Sequence, residues 1–284
     1  GVRRRRRSAP VNTSTIFSLR LVLNIVPRLP LKLRGAKCLD LQGANLHSTL
    51  HNQQIVIIGG TSGLGLATAH QAIEQGAKVI IGGSSREQLA TALAELGANA
   101  SGHQLDILDV DSVNHFFNQL DSLDHLVITA AVMRPGSFLT AAIEDLKINM
   151  DSRFWGSVHA IRAAAPKLSE RGSIVLTSGM VTRRPQLGKA LPAVAAGAIE
   201  TLAHSLVTEL TPRRINVINP GPMRTPMLLK ALGNDPQKVA AVAQSLPLKR
   251  LGEGEDYAQA ALFLMSNNNM NGEVLHLNGG TAWA

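Results

Sequence analysis

Cysteine is almost missing from this sequence: Cys38 is the only one in 284 residues. A single thiol excludes an internal disulfide and a cysteine-built zinc cluster, and it suits a reducing compartment. Histidine offers no substitute. None of the nine histidines forms a His-x-x-x-His or similar ligand pair, so they read as surface or core polar groups and no metal is expected. Aromatic residues make up only 3%, while glycines number 25. Such small-residue packing suits helices lying close on a sheet and suits a β-sandwich poorly. Apolar residues still amount to 45%, enough for one sizeable core.

Acidic residues are absent from positions 1–39, which hold ten of the 28 lysines and arginines. The remaining 245 residues carry 18 basic against 20 acidic groups, so the formal charge of +8 belongs to the tail. Nothing in the near-neutral body suggests a nucleic-acid face. The tail is Arg-rich, dotted with Ser and Thr, and acid-free, as organelle transit peptides are. Its apolar run TIFSLRLVLNIV is broken by Arg20 and is too short to span a bilayer. A targeting leader, an artefact of the reading frame, and a basic arm for RNA or anionic membrane stay open for residues 1–50. Position 1 is not Met, which is taken to mark a processed or truncated chain. The expected location is cytoplasmic, or an organelle matrix if the leader is a transit peptide.

From residue 51 onward short apolar runs alternate with helical segments. QIVIIGG, AKVIIGG, ASGHQLDI, DHLVITAAV, GSIVLTSG, RRINVINPG and GEVLHLNGG read as strands. Between them lie amphipathic stretches opened by Ser or Asp and closed by glycine, such as SSREQLATALAELG. Continuous apolar strands separated by helices predict an α/β fold: a parallel sheet of about seven strands covered on both faces, in one domain over 51–284.

The first strand runs into Gly59, Gly63 and Gly65, and a helix follows at once. The first glycine permits a sharp turn, the second lets the backbone approach a pyrophosphate, and the third allows close helix–sheet packing. The helix N-terminus adds N–H donors and positive dipole. After the second strand comes GGSSRE, with no acid at Gly83, Ser84 or Ser85 and a guanidinium at Arg86. Hydroxyls with an arginine suit the 2′-phosphate of NADP, whereas the carboxylate usual for NAD would repel it.

This spacing, G-x-x-x-G-x-G, resembles that of the short-chain dehydrogenase/reductase family. LDILD resembles its adenine-contacting segment, LVITAAV stands where LVNNAG is usual, INMDSRFWG carries an Asn, and INVINPGPMRT resembles its Pro-Gly loop. The resemblance implies a Rossmann-type doubly wound sheet. The implied cofactor contacts are Gly59, Thr61, Ser62, Gly63, Leu64, Gly65, Ser84, Ser85, Arg86, Asp106, Ile107, Ala130, Ala131, Pro220, Gly221 and Thr225. It also implies a small-molecule substrate and a homodimer or homotetramer.

One part of the family pattern is missing. Its members hold a Tyr-x-x-x-Lys pair on a helix, the Tyr as general acid or base and the Lys lowering its pKa. Aligning LAHSLVTEL through Leu202, Leu206 and Glu209 puts Pro192 at the Tyr position and Ala196 at the Lys position. Neither can transfer a proton. The only tyrosine, Tyr257, lies on another helix. The family's Ser position falls on Gly179, beside Ser178, and its Asn on Asn149. Asn149, Ser178 and Lys189 are therefore the candidate catalytic residues. Two readings follow: an atypical NADP-dependent oxidoreductase acting on a carbonyl, an alcohol or an activated alkene, or a cofactor-binding pseudoenzyme or scaffold with little or no activity.

Overall fold

The computed structural model of the chain describes residues 50–284. All but Leu50 of the expected leader lies outside them. Leu50 itself is 1% exposed and packs in the core, so the domain includes it.

The strands are β1 (Gln54–Ile58), β2 (Lys78–Gly83), β3 (Ala100–Gln104), β4 (Leu123–Ile128), β5 (Leu168–Thr177), β6 (Arg214–Pro220) and β7 (Val274–Leu277). The helices are α1 (Gly63–Glu74), α2 (Arg86–Leu96), α3 (Val110–Asn118), α4 (Ile143–Met150), α5 (Gly156–Ala164), α6 (Ala190–Leu206), α7 (Pro226–Ala231), α8 (Pro236–Ser245) and α9 (Gly254–Ser266). The strands form one parallel sheet in the order β3-β2-β1-β4-β5-β6-β7. Chain order reverses between β1 and β4, and their C-terminal ends open the crevice where ligands of such sheets sit.

Alternation along the strands sends side chains to two buried layers. Val56, Ile58, Leu126, Ile128, Ile174 and Leu176 pack with Phe116 and Phe117 of α3, Ile161 of α5 and Ile199 of α6. Ile55, Ile57, Val127, Val175 and Ile218 pack on the other face with Ala69 and Ala72 of α1 and Tyr257, Ala261 and Leu264 of α9. Burying each Val or Ile contributes roughly 1.5–3 kcal/mol. The scarcity of aromatics has its counterpart where α1 meets α9: Ala67 lies against Gly254, so the helices approach closely.

Helix starts are capped by polar side chains, at Ser85 and Asp109 as read from the sequence and at Asp235 besides. Ser85 accepts from Gln88 N, Asp109 from Asp111 N and Asp235 from Gln237 N. Arg214 on β6 has an end-capping role that sequence periodicity does not reveal. It donates from Nη1 to the carbonyls of Leu264 and Met270, and from Nη2 to that of Met265, at the C-terminal end of α9. A single π-helical turn, Asp151–Trp155, separates α4 from α5. Such turns re-aim side chains and recur at functional sites.

Candidate active site

The glycine turn lies at the reversal point of the sheet. Gly59 has φ +90°, left-handed backbone that a side chain would strain, and its N–H donates to Gly82 O at 2.8 Å. The end of β4 closes over it. Ala130 N donates to Ile58 O at 3.1 Å, and a Cβ at Gly59 would stand 2.6 Å from Thr129 Oγ1. A Cβ at Gly65 would collide with the carbonyl oxygen of Gly59. Ser62 is the N-cap of α1 yet makes no side-chain cap hydrogen bond, so its hydroxyl answers none of the first-turn N–H groups. Bare backbone and a helix N-terminus with its dipole are the features that suit an anion.

The flanks of the glycine turn come from three other strand ends. Thr61 lies against Gly83 at the end of β2. There Ser84 is exposed and Ser85 caps α2. The Arg86 side chain is held from Nε by Gln104 Oε1 at 2.7 Å, and Gln104 is held in turn by Ser84 O at 2.8 Å. The guanidinium is thus braced through Nε, and its other nitrogens make no hydrogen bond among the described residues. Asp106 accepts from Leu108 N at 3.0 Å and fixes the turn after β3, while Ile107 is buried. Ala130 and Ala131 follow β4. Pro220 ends β6, and Gly221 N donates to Leu277 O at 2.9 Å. Thr225 caps α7 and approaches Gly63, so the Pro-Gly loop passes over the glycine turn.

The candidate catalytic residues are not convergent. Asn149 is 1% exposed, and its amide clamps the loop after β4: Oδ1 accepts from Arg134 N at 2.9 Å and Nδ2 donates to Arg134 O at 3.0 Å. Ser178 is 3% exposed and donates to Glu200 Oε1 at 2.8 Å. Glu200 stands one turn beyond Ala196 on α6, and the same oxygen accepts from Asn219 Nδ2 at 2.6 Å and Thr182 Oγ1 at 3.3 Å. Lys189 is the N-cap of α6, and its ammonium makes no hydrogen bond or ion pair among the described residues. Pro192 lies in the first turn of α6, where its missing N–H has no helical partner to lose. Pro192 and Ala196 are both buried.

Two further groups bear on the site: Tyr257, which the sequence placed on another helix, and Arg153, which the sequence reading missed. Tyr257 is sealed in the core, its hydroxyl 2.6 Å from Thr177 Oγ1. Burial pushes its pKa up, with the Thr177 hydrogen bond and the Arg153 charge opposing, so it stays protonated at neutral pH, sealed away from any substrate. Arg153, on the π-helical turn, donates from Nη1 to Thr177 O at 2.6 Å and Ser178 O at 3.0 Å. Burial lowers its pKa to about 10, the Tyr257 hydroxyl acting the other way, so it remains a cation at neutral pH. The signal available for Arg153 was its place four residues after Asn149, on the same helical face.

Comparison with known proteins fits this geometry. The sequence profile described as enoyl-(acyl carrier protein) reductase matches residues 59–282. The chain is 31% identical over 252 residues to the short-chain dehydrogenase/reductase malC of Malbranchea aurantiaca, covering 81% of this chain and 95% of that one. The solved MalC reductase/Diels-Alderase of that organism superposes with a TM-score of 0.77 at 28% identity, over 84% of this chain and 99% of that one. A small-chain dehydrogenase solved in complex with NADPH matches with a TM-score of 0.68 at 30% identity, over 82% of this chain and 100% of that one.

Proposed function

Because the chain belongs to the short-chain dehydrogenase/reductase family, we propose that it is an NADP-dependent oxidoreductase acting on a carbonyl, an alcohol or an activated alkene. The observation that carries the cofactor choice is the acid-free end of β2, where Ser84 and Ser85 stand beside an Arg86 braced by Gln104. Gly59, Gly63 and Gly65 with the first turn of α1 would hold the pyrophosphate, Arg86 and Ser84 the 2′-phosphate, and Asp106 and Ile107 the adenine side. Ala130, Ala131, Pro220, Gly221 and Thr225 would border the nicotinamide half. The similar dehydrogenase solved with NADPH supports the same cofactor.

Bound nicotinamide would supply the hydride; the chain's residues orient the acceptor and exclude bulk water. Asn149 and Ser178 are committed to the protein, the former fixing the loop after β4 and the latter tied to Glu200. Proton transfer therefore falls to water or to Lys189, whose ammonium is free among the described residues. Assembly as a homodimer or homotetramer is part of the reading. Ile143, Trp155 and Val194, on mutually packed segments, are 61%, 50% and 56% exposed, an apolar face of the kind oligomers cover.

Pro192 and Ala196 favour a second reading, a scaffold that binds cofactor without turnover. NADPH oxidation against a panel of ketones, aldehydes and enones, with NADPH affinity measured in parallel, separates the two. Turnover approaching ~10 per second on any member supports the enzyme. Tight NADPH binding with no turnover supports the scaffold.

A further inference from the structure

Two arginines reach into the body of this domain, and their surroundings differ. Arg214 engages three carbonyls with both terminal nitrogens at a helix C-terminus, where the dipole answers its charge. Arg153 uses Nη1 alone, on the carbonyls of Thr177 and Ser178. Its Nε and Nη2 have no partner among the described residues, and neither is fully sealed from solvent although the residue is deeply set. No carboxylate of the described residues forms an ion pair with it. It lies at the C-terminal end of β5, next to Gly179, at the edge of the sheet where ligands sit. The turn that carries it packs against α6, the helix on which Pro192 and Ala196 replace the family's proton donor and its cation.

We propose that Arg153 is the oxyanion-binding cation of this active site, its free Nε and Nη2 edge taking the oxygen of the substrate carbonyl. The inference rests on the oxidoreductase reading. As the carbonyl carbon accepts a hydride from reduced nicotinamide, the C–O π pair moves onto oxygen. The guanidinium holds the resulting alkoxide until water delivers a proton. The nicotinamide is oxidised, the carbonyl is reduced, and hydroxide is left to the solvent. A rigid fork offering two N–H donors suits this better than a lysine.

The test uses the 284-residue chain saturated with NADP+, and sulfite as the probe. The sulfur lone pair forms a bond to C4 of the nicotinamide ring with no leaving group, and sets anionic oxygens where the substrate oxygen would stand. The adduct is read by its near-ultraviolet absorbance. The wild-type chain should form it at sulfite concentrations about tenfold or more below those needed by Arg153→Met, equivalent to ~1.4 kcal/mol. Arg153→Lys should fall between them. Arg153→Gln keeps a donor for the Thr177 and Ser178 carbonyls without the charge. It should unfold near the wild-type temperature yet lose sulfite affinity as Met does. Wild type and Arg153→Gln equal in sulfite affinity at equal NADP+ affinity would overturn the proposal, as would no gain over free NADP+ in the wild type. Should neither neutral variant fold, the lysine variant decides, and its equality with wild type would overturn the fork. A wild-type chain that fails to bind NADP+ would overturn the oxidoreductase reading first, and this proposal with it.

Discussion

Ser178 donates its hydroxyl hydrogen to Glu200 Oε1 at 2.8 Å, across 22 residues of sequence. Asn219 Nδ2 reaches the same oxygen at 2.6 Å, so one carboxylate on α6 ties the ends of β5 and β6 together. Glu200→Ala would leave Ser178, 3% exposed, without its acceptor, and would reduce Asn219, 0% exposed, to its bonds with Gly179 O and Thr182 Oγ1. The expected loss is about 1–3 kcal/mol, and Glu200→Gln, which keeps an acceptor without charge, should cost less. Urea unfolding midpoints measure both. An alanine variant as stable as wild type would show that the network contributes nothing.

Gly65→Ala should separate cofactor binding from the rest of the fold. The new Cβ collides with the carbonyl of Gly59, so the turn must shift where the pyrophosphate is expected. NADPH fluorescence titration should show at least a tenfold loss, ~1.4 kcal/mol, while far-ultraviolet circular dichroism stays unchanged. Wild-type affinity in this variant would remove the turn from the cofactor site.

Arg86→Ala should weaken NADPH selectively. A charge-assisted contact to a phosphate is worth roughly 1.5–3 kcal/mol, or about ten- to a hundredfold in affinity. NADH, lacking the 2′-phosphate, should bind the variant as it binds wild type. Equal losses for both nucleotides would mean that Arg86 shapes the site without reading the phosphate.

His125 should make the fold acid-sensitive. It is 3% exposed, with Nε2 2.7 Å from Gln53 Oε1 and Nδ1 2.8 Å from Ser173 Oγ. Gln53 Oε1 can only accept, so Nε2 carries the proton, and Nδ1 accepts from the serine. Burial lowers the pKa from 6.5 to about 4, against the pull of Asp124 and helped by Arg214. As pH falls from 6.5 towards 4 the unfolded chain takes up a proton that the folded chain does not. The stabilisation present above pH 6.5 is therefore lost over that window, about 3 kcal/mol in all. Urea unfolding at pH 7 and pH 4.5 should show the loss, and His125→Gln should flatten it. A variant with the wild-type pH slope would assign the sensitivity elsewhere.

The sequence by itself determined the sheet and the glycine turn at its centre. Runs such as QIVII and KVIIGG, too short and β-branched for helices, could only be buried strands, and the glycines at the end of the first had one geometric use. It determined equally that no Tyr or Lys stands on α6, because no alignment can place a residue that the chain does not have there. These are local facts, legible from period and spacing. What only the tertiary structure decided is which distant side chains meet. Glu200, an ordinary helix acid in sequence, is carried to Ser178 and Asn219 because α6 packs across the ends of β5 and β6. Arg153 reads as one more cation after Asn149, until the π-helical turn aims it at the carbonyls of Thr177 and Ser178. Such pairings depend on strand order and on the angle of a helix crossing. Both are set by the packing of the whole core, and no short window of sequence contains them.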